Sequence, residues 1–216
     1  MILCKNKTCK QGNFGKRLKF EPRTASQLYC CYECLKEDSE TKSYKAEIAK
    51  RIKANNAKEK RIFRAEGSKN KRNNPLQVAV NKLIKLIDKR FELNTCICCD
   101  KPFQGQIDAS HFKSVGSNSS LRYNLHNIHS GRGYCNQYDP NHQKNYPSGL
   151  EKRYGKEYLN YVESLALKYP HLSLSGVELI EKTSLVTRII KNFNTYKLES
   201  PTQARDMFNE IIKIYL

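Results

Sequence analysis

Between residues 108 and 142 the chain gathers Asp108, His111, Asn127, His129, Asn136 and His142. An imidazole titrates near neutrality and suits a general base, while carboxylate and amide oxygens suit Mg²⁺. A base-activated water, with a cation on the scissile phosphate and the leaving oxygen, is what phosphodiester hydrolysis requires. The nine cysteines offer a second chemistry: Cys4, Cys9, Cys30, Cys31 and Cys34, then Cys96, Cys98 and Cys99, then Cys135. The N-terminus has no apolar leader, so the chain is expected in a reducing cytoplasm, where clustered thiols read as metal ligands before disulfides. Cys4-x4-Cys9 and Cys30-x3-Cys34 form two knuckles able to close a tetrahedral zinc site, with Cys31 an alternative to Cys30. Four thiolates leave no open position, so that zinc is expected to be structural.

The elements that must position these groups follow from composition and period. Residues 1–36 are basic and turn-rich, with so little apolar material that a metal must stand in for a core. From about Glu40 to Glu66 the composition turns to Lys, Arg, Ala and Glu, and Tyr44, Ile48 and Ile52 recur at spacing four, which predicts a charged helix with one thin apolar stripe. Gly67 to Pro75 reads as a linker. Leu76, Val80, Leu83, Ile84, Ile87 and Phe91 then share one face of an amphipathic helix opened by Pro75. Residues 94–148 read as short strands and loops around a site. A helix is expected from about Leu150 to Leu165. Ser175 with Glu178 has capping-box spacing before another helix to about Phe193, and Ser200-Pro201 with Gln203 opens a last one. The expected fold is α+β, divided into a zinc-knuckle module (1–36), a basic helix and linker (37–75), a central domain (76–168) and a C-terminal helical segment (169–216).

Charge points to the partner. The formal net charge is +18, and residues 1–75 hold 20 Lys/Arg against 8 Asp/Glu. Such an excess favours a polyanion, nucleic acid above all. No stretch approaches the roughly 18 apolar residues of a membrane span, so no membrane partner is expected.

Taken in order, Cys96-x2-Cys99, Asp108-Ala-Ser-His111, Asn127-Ile-His129 and Cys135-Asn136 resemble the HNH nucleases. That resemblance implies a ββα-metal core with one catalytic divalent ion. His111 would be the base, Asp108 and either Asn136 or His142 the ligands of Mg²⁺ or Mn²⁺, and Asn127 the residue that orients the base. The likeness extends further. The N-terminal knuckles, the Lys/Arg/Glu helix, Leu121-Arg122-Tyr123-Asn124, Cys135-Asn136-Gln137 and Arg153-Tyr154-Gly155 together resemble the NinG family of lambdoid phages, also called Rap. The match spans about residues 3–165 and is most specific over Asp108–Gln137. It implies a structure-specific endonuclease acting on branched recombination intermediates such as Holliday junctions and D-loops, in a bacterial host's cytoplasm.

Two departures from that family stand out. The family pattern carries a second Cys-x2-Cys ending at Cys135, but Arg132 occupies its first position. A second zinc would then have Cys96, Cys99 and Cys135, with His129 the expected fourth ligand and Cys98 badly placed; alternatively that site is lost to packing. An insertion over 138–145 either supplies His142 as a metal ligand or just lengthens a loop. Lys113, Arg122, Arg132 and Lys144 are the expected phosphate contacts, and Lys and Arg over 42–72 are further candidates. Tyr123 and Tyr134 are candidates to stack on bases. Cutting a four-way junction takes two active sites, which suggests a homodimer, with the C-terminal helices as its interface or simply as core. The alternative function is a non-catalytic, zinc-dependent DNA-binding accessory protein.

Overall fold

The structure is a computed structural model that describes residues 1–9, 11–12, 16–40, 42–69, 71 and 74–215. Asn70, Arg72 and Asn73 of the expected linker lie outside the described residues. The chain is α+β, and its contacts divide it into two units, Met1–Arg61 and Ile62–Leu216.

In the first unit β1 (Ile2–Leu3) pairs antiparallel with β2 (Lys19–Phe20), Ile2 opposite Phe20. The helices α1 (Tyr32–Glu40) and α2 (Lys42–Ser68) follow, the latter running on past the division. Cys4, Cys9 and Cys34 are its buried core, with Leu18, Phe20 and Tyr29 packed around them. Backbone bonds from Cys4 to Leu18 and from Lys5 to Leu28 draw the two knuckles together. Buried Asn6 braces the turn, accepting from the Thr8 amide at 3.0 Å and donating to Glu37 at 2.9 Å. The stripe expected on α2 fades along its length: Tyr44 and Ile48 are half-buried, Ile52 is exposed.

The second unit is built on α3 (Pro75–Arg90). Asn74 caps it, accepting from the Gln77 amide at 2.9 Å, and Pro75 fills the first helical position, where a missing N–H costs nothing. Its Leu76, Val80, Leu83, Ile84 and Ile87 are all fully buried. One side of this helix takes the hairpin of β3 (Ile107–His111) and β4 (Ile128–Arg132), paired in register from Ile107–Arg132 to His111–Ile128. α4 (Gly133–Tyr138) leaves β4 directly and packs back on both strands.

Where one helix was expected from Leu150, there are two, α5 (His142–Tyr154) and α6 (Lys156–Lys168). Gly155, at φ 90°, breaks them apart, a conformation that costs other residues a steric clash. α7 (Gly176–Lys191) begins at the full Ser175/Glu178 capping box, and α8 (Pro201–Ile212) at Ser200. Both bury their apolar faces against the same core as α3, through Leu179, Val186, Ile189, Phe208 and Ile212. Thus residues 169–216 share the core of 76–168. At its centre fully buried Arg205 pairs with Asp88, which also accepts from the Ser130 amide at 2.8 Å and so fixes β4 to α3.

Candidate functional site

β3 and α4 face α3 across a cleft of about 580 Å³, whose walls include Lys85, Gln106, Asp108, His111, Asn136 and Gln137. Asp108 receives three amide donors, from Gln106 at 2.7 Å and from Asn136 and Gln137 at 3.1 Å each. Burial raises its pKa, but these donors and the Lys85 ammonium outweigh burial and hold the carboxyl below the usual carboxylate range. Asn136 turns its amide nitrogen to Asp108, which leaves its oxygen without a hydrogen-bond partner among the described residues, a second hard donor beside the carboxylate.

His111 stands at the far end of the same strand. Its Nε2 lies 3.0 Å from the Arg122 carbonyl oxygen. A carbonyl can only accept, so Nε2 carries the proton and Nδ1 keeps its lone pair. Burial, the largest influence, lowers the His111 pKa and favours that neutral form. The loop that carries this carbonyl is pinned next door, at Leu121, by Asn127, which is fully buried. Its side chain accepts from the Lys113 amide at 2.8 Å and donates to the carbonyls of Lys113 at 3.0 Å and Leu121 at 3.2 Å. Asn127, expected to orient the base through its backbone or amide, pins the loop with its side chain. Its backbone carbonyl accepts from the Phe112 amide at 2.8 Å, one residue from His111. The contact to the ring itself comes from Arg122.

The cysteines form two compact groups. Cys4, Cys9, Cys30 and Cys34 have their sulfurs within 4.8 Å of one another, and so do Cys96, Cys98, Cys99 and Cys135. Cys9–Cys30 and Cys30–Cys34 are 3.6 Å apart, and Cys96–Cys98 3.5 Å. A tetrahedron with Zn–S of about 2.3 Å has an edge of about 3.8 Å. Both groups could therefore hold zinc with little adjustment. Each has a thiol lowered toward the thiolate: Cys9 to about 6, chiefly by the Leu18 backbone contact, and Cys96 to about 4, chiefly by Cys98.

The family model for the bacteriophage lambda NinG protein matches residues 1–192. The chain belongs to the NinG family. It is 33% identical over 88 residues to protein ninG of Escherichia phage lambda, a stretch that is 41% of this chain and 42% of that relative. It is 32% identical over 88 residues to protein ninG of Escherichia phage 933W and to that of Enterobacteria phage VT2-Sa, again spanning 42% of each relative's length. No solved structure matches it.

Several side chains of this NinG-family protein stand elsewhere than expected. His129 is outside the second cysteine group: it is fully buried, with Tyr146 Oη at 3.3 Å and Tyr158 Oη at 3.4 Å, and burial holds its pKa well down. Cys98 takes the place expected of it. His142 does not reach Asp108. Its Nδ1 is 3.0 Å from Cys98 Sγ and its Nε2 2.6 Å from Ser110 Oγ, which leaves no nitrogen for a metal in the cleft. Of the two candidates, Asn136 lines the cleft beside Asp108.

Arg122 lines the cleft with a buried guanidinium spent on Gln77 and on the carbonyls of Lys69 and Lys71, so it acts as a clip within the fold. Arg132 is half-buried, its Nε enclosed without a hydrogen-bond partner among the described residues. Lys113 is half-buried with its ammonium 4.8 Å from the centre of the Phe112 ring, and Lys144 is exposed. Tyr123 is buried and bonded to Asn74, whereas Tyr134 is open to solvent. Sequence reasoning missed Lys85, Gln106 and the amide role of Gln137. Only Gln137 carried a signal, as part of the Cys135-Asn136-Gln137 run.

No described helix is long and apolar enough to cross a membrane.

Proposed function

We propose that this NinG-family protein is a metal-dependent DNA endonuclease that hydrolyses phosphodiester bonds in branched recombination intermediates. The observation that carries this reading is the pairing, on one five-residue strand, of a histidine with a committed Nε2 and an open Nδ1 and a carboxylate beside an amide oxygen. Strand, strand and helix in the order β3–β4–α4 match the ββα-metal plan that the HNH resemblance implies.

Asp108 and Asn136 would hold Mg²⁺ or Mn²⁺, a hard ion suited to oxygen donors. When bound, that ion supplies charge stabilisation for the scissile phosphate and the leaving oxygen. His111 Nδ1 takes the proton from the attacking water. The Arg122 carbonyl keeps Nε2 protonated throughout, and stabilises the imidazolium that forms. Lys85 sits on the same cleft wall and adds positive charge where the phosphodiester must approach. The branched substrate comes from the resemblance to the family.

Cleavage of a labelled four-way junction beside a matched linear duplex tests the proposal, with EDTA, Mg²⁺ or Mn²⁺ present. Cutting that requires Mg²⁺ or Mn²⁺ and favours the junction is expected. His111→Ala should lose about 10²–10⁴-fold in rate, the span of general-base catalysis, while still binding DNA. Binding with no cutting under any of these ions would replace the nuclease with a zinc-dependent DNA-binding accessory protein.

A further inference from the structure

The second cysteine group is gripped from outside its own loop. Cys96 to Cys99 offer three thiols within four residues, and α4 brings Cys135. Asp100, at φ 53°, turns the chain sharply, and its amide bonds back to the Cys96 carbonyl at 2.9 Å, so Cys99 folds toward Cys96. α5 then closes on the loop at two places. Gly149 lies so near that a Cβ there would fall 1.6 Å from the Ile97 carbonyl oxygen. Two turns earlier, His142 meets Cys98 at 3.0 Å and Ser110 at 2.6 Å, and all three residues are buried.

The chemistry of this chain of contacts fixes its direction. As a metal-bound thiolate Cys98 can only accept, and in that state His142 Nδ1 donates to it while Nε2 accepts from the Ser110 hydroxyl. Hydrogen bonds of this kind onto a coordinating atom orient it and commonly matter to metal affinity. Ser110 belongs to β3, between Asp108 and His111.

We propose that Cys96, Cys98, Cys99 and Cys135 form a four-thiolate zinc centre with Cys98 as its fourth ligand, and that His142 and Ser110 tie it to β3. Loading the metal orders the strand that carries Asp108 and His111. The metal centre stands apart from the nuclease reading; only the consequence for catalysis rests on it.

The test uses the full chain and no DNA. Metal analysis of the wild type should find two zinc ions per chain, one for each cysteine group, and Cys98→Ser should retain one. After replacement of zinc by cobalt, the absorption lost on Cys98→Ser should be that of a four-thiolate site. His142→Ala should keep both ions. In Cys98→Ser and His142→Ala alike, amides of Ile107–His111 should exchange about tenfold faster, with those of α3 unchanged. The idea is overturned if the wild type holds a single zinc, or if Cys98→Ser still holds two. It is equally overturned if the lost absorption is that of three thiolates with an imidazole, which would make His142 the ligand. Unchanged exchange in β3 would remove the tie to the strand.

Discussion

A histidine serves as a base when one ring nitrogen is committed and the other is open, and His111 meets that condition through a backbone carbonyl. The sequence displayed the partners of this chemistry: Asp108, His111, Asn127 and Asn136 are all recognisable by type and order. It could not display what makes them function together, because the Arg122 carbonyl and the Gln106 amide reach their partners only through folding, and any residue brings a carbonyl. The same limit hid Cys98, whose adjacency to Cys99 looked unfavourable until the turn at Asp100 brought their sulfurs together. Burial lowers the His111 pKa, which fixes the sign of a pH effect. The neutral base persists as the medium becomes more acidic, so the cleavage rate should hold level down past the ordinary histidine value of about 6.5 and fall only below it. A pH–rate profile on the junction substrate measures this. A rate already falling above pH 7 as acid is added would show that His111 is not the limiting base.

The elements divide into those that announce themselves locally and those that do not. The Ser175/Glu178 box, Ser200-Pro201 and the apolar face of α3 are signals carried within one or two helical turns, and each stands where it was read. The break at Gly155 was missed because Leu150, Tyr154 and Tyr158 keep helical spacing across it, so periodicity alone reads a continuous helix. The start of α5 was missed because 138–145 carries turn-forming residues. Yet α5 is the element on which the second cysteine group leans. Gly149→Ala tests that contact: the added Cβ cannot coexist with the Ile97 carbonyl, so α5 or the loop must move. The expected cost is about 3 kcal/mol, the upper end of the overpacking range. Urea denaturation measures it, and metal analysis should show zinc lost from the second group. A stability within about 0.5 kcal/mol of wild type would mean that α5 does not press on the loop, since surface changes fall in that range.

At the scale of the whole chain, the two units differ in what they bury. A core of three buried cysteines with Leu18, Phe20 and Tyr29 is too small to fold alone, as its cysteine-rich, apolar-poor sequence implied. Stripping zinc with a strong chelator should therefore free the amides of β1, β2 and residues 28–34 to exchange, while α3 stays protected; protection that survives verified zinc loss would contradict this. The C-terminal helices were ambiguous, since an amphipathic face suits an interface or a core, and only packing against α3 shows them to be core. The net charge of +18 is the other property that belongs to no single element. Along α2, Lys53, Lys58 and Lys60 are exposed, and such cations bind DNA by releasing counterions. An interface covering about six phosphates should lose roughly a thousandfold in affinity between 50 and 200 mM salt. Replacing Lys53, Lys58 and Lys60 together by Gln should flatten the slope of log K against log salt by about 2.7 if all three meet phosphates, at about 0.9 for each. A slope that does not change would make α2 a solvated helix and move the DNA contact to the cleft, where Lys85 stands beside Asp108.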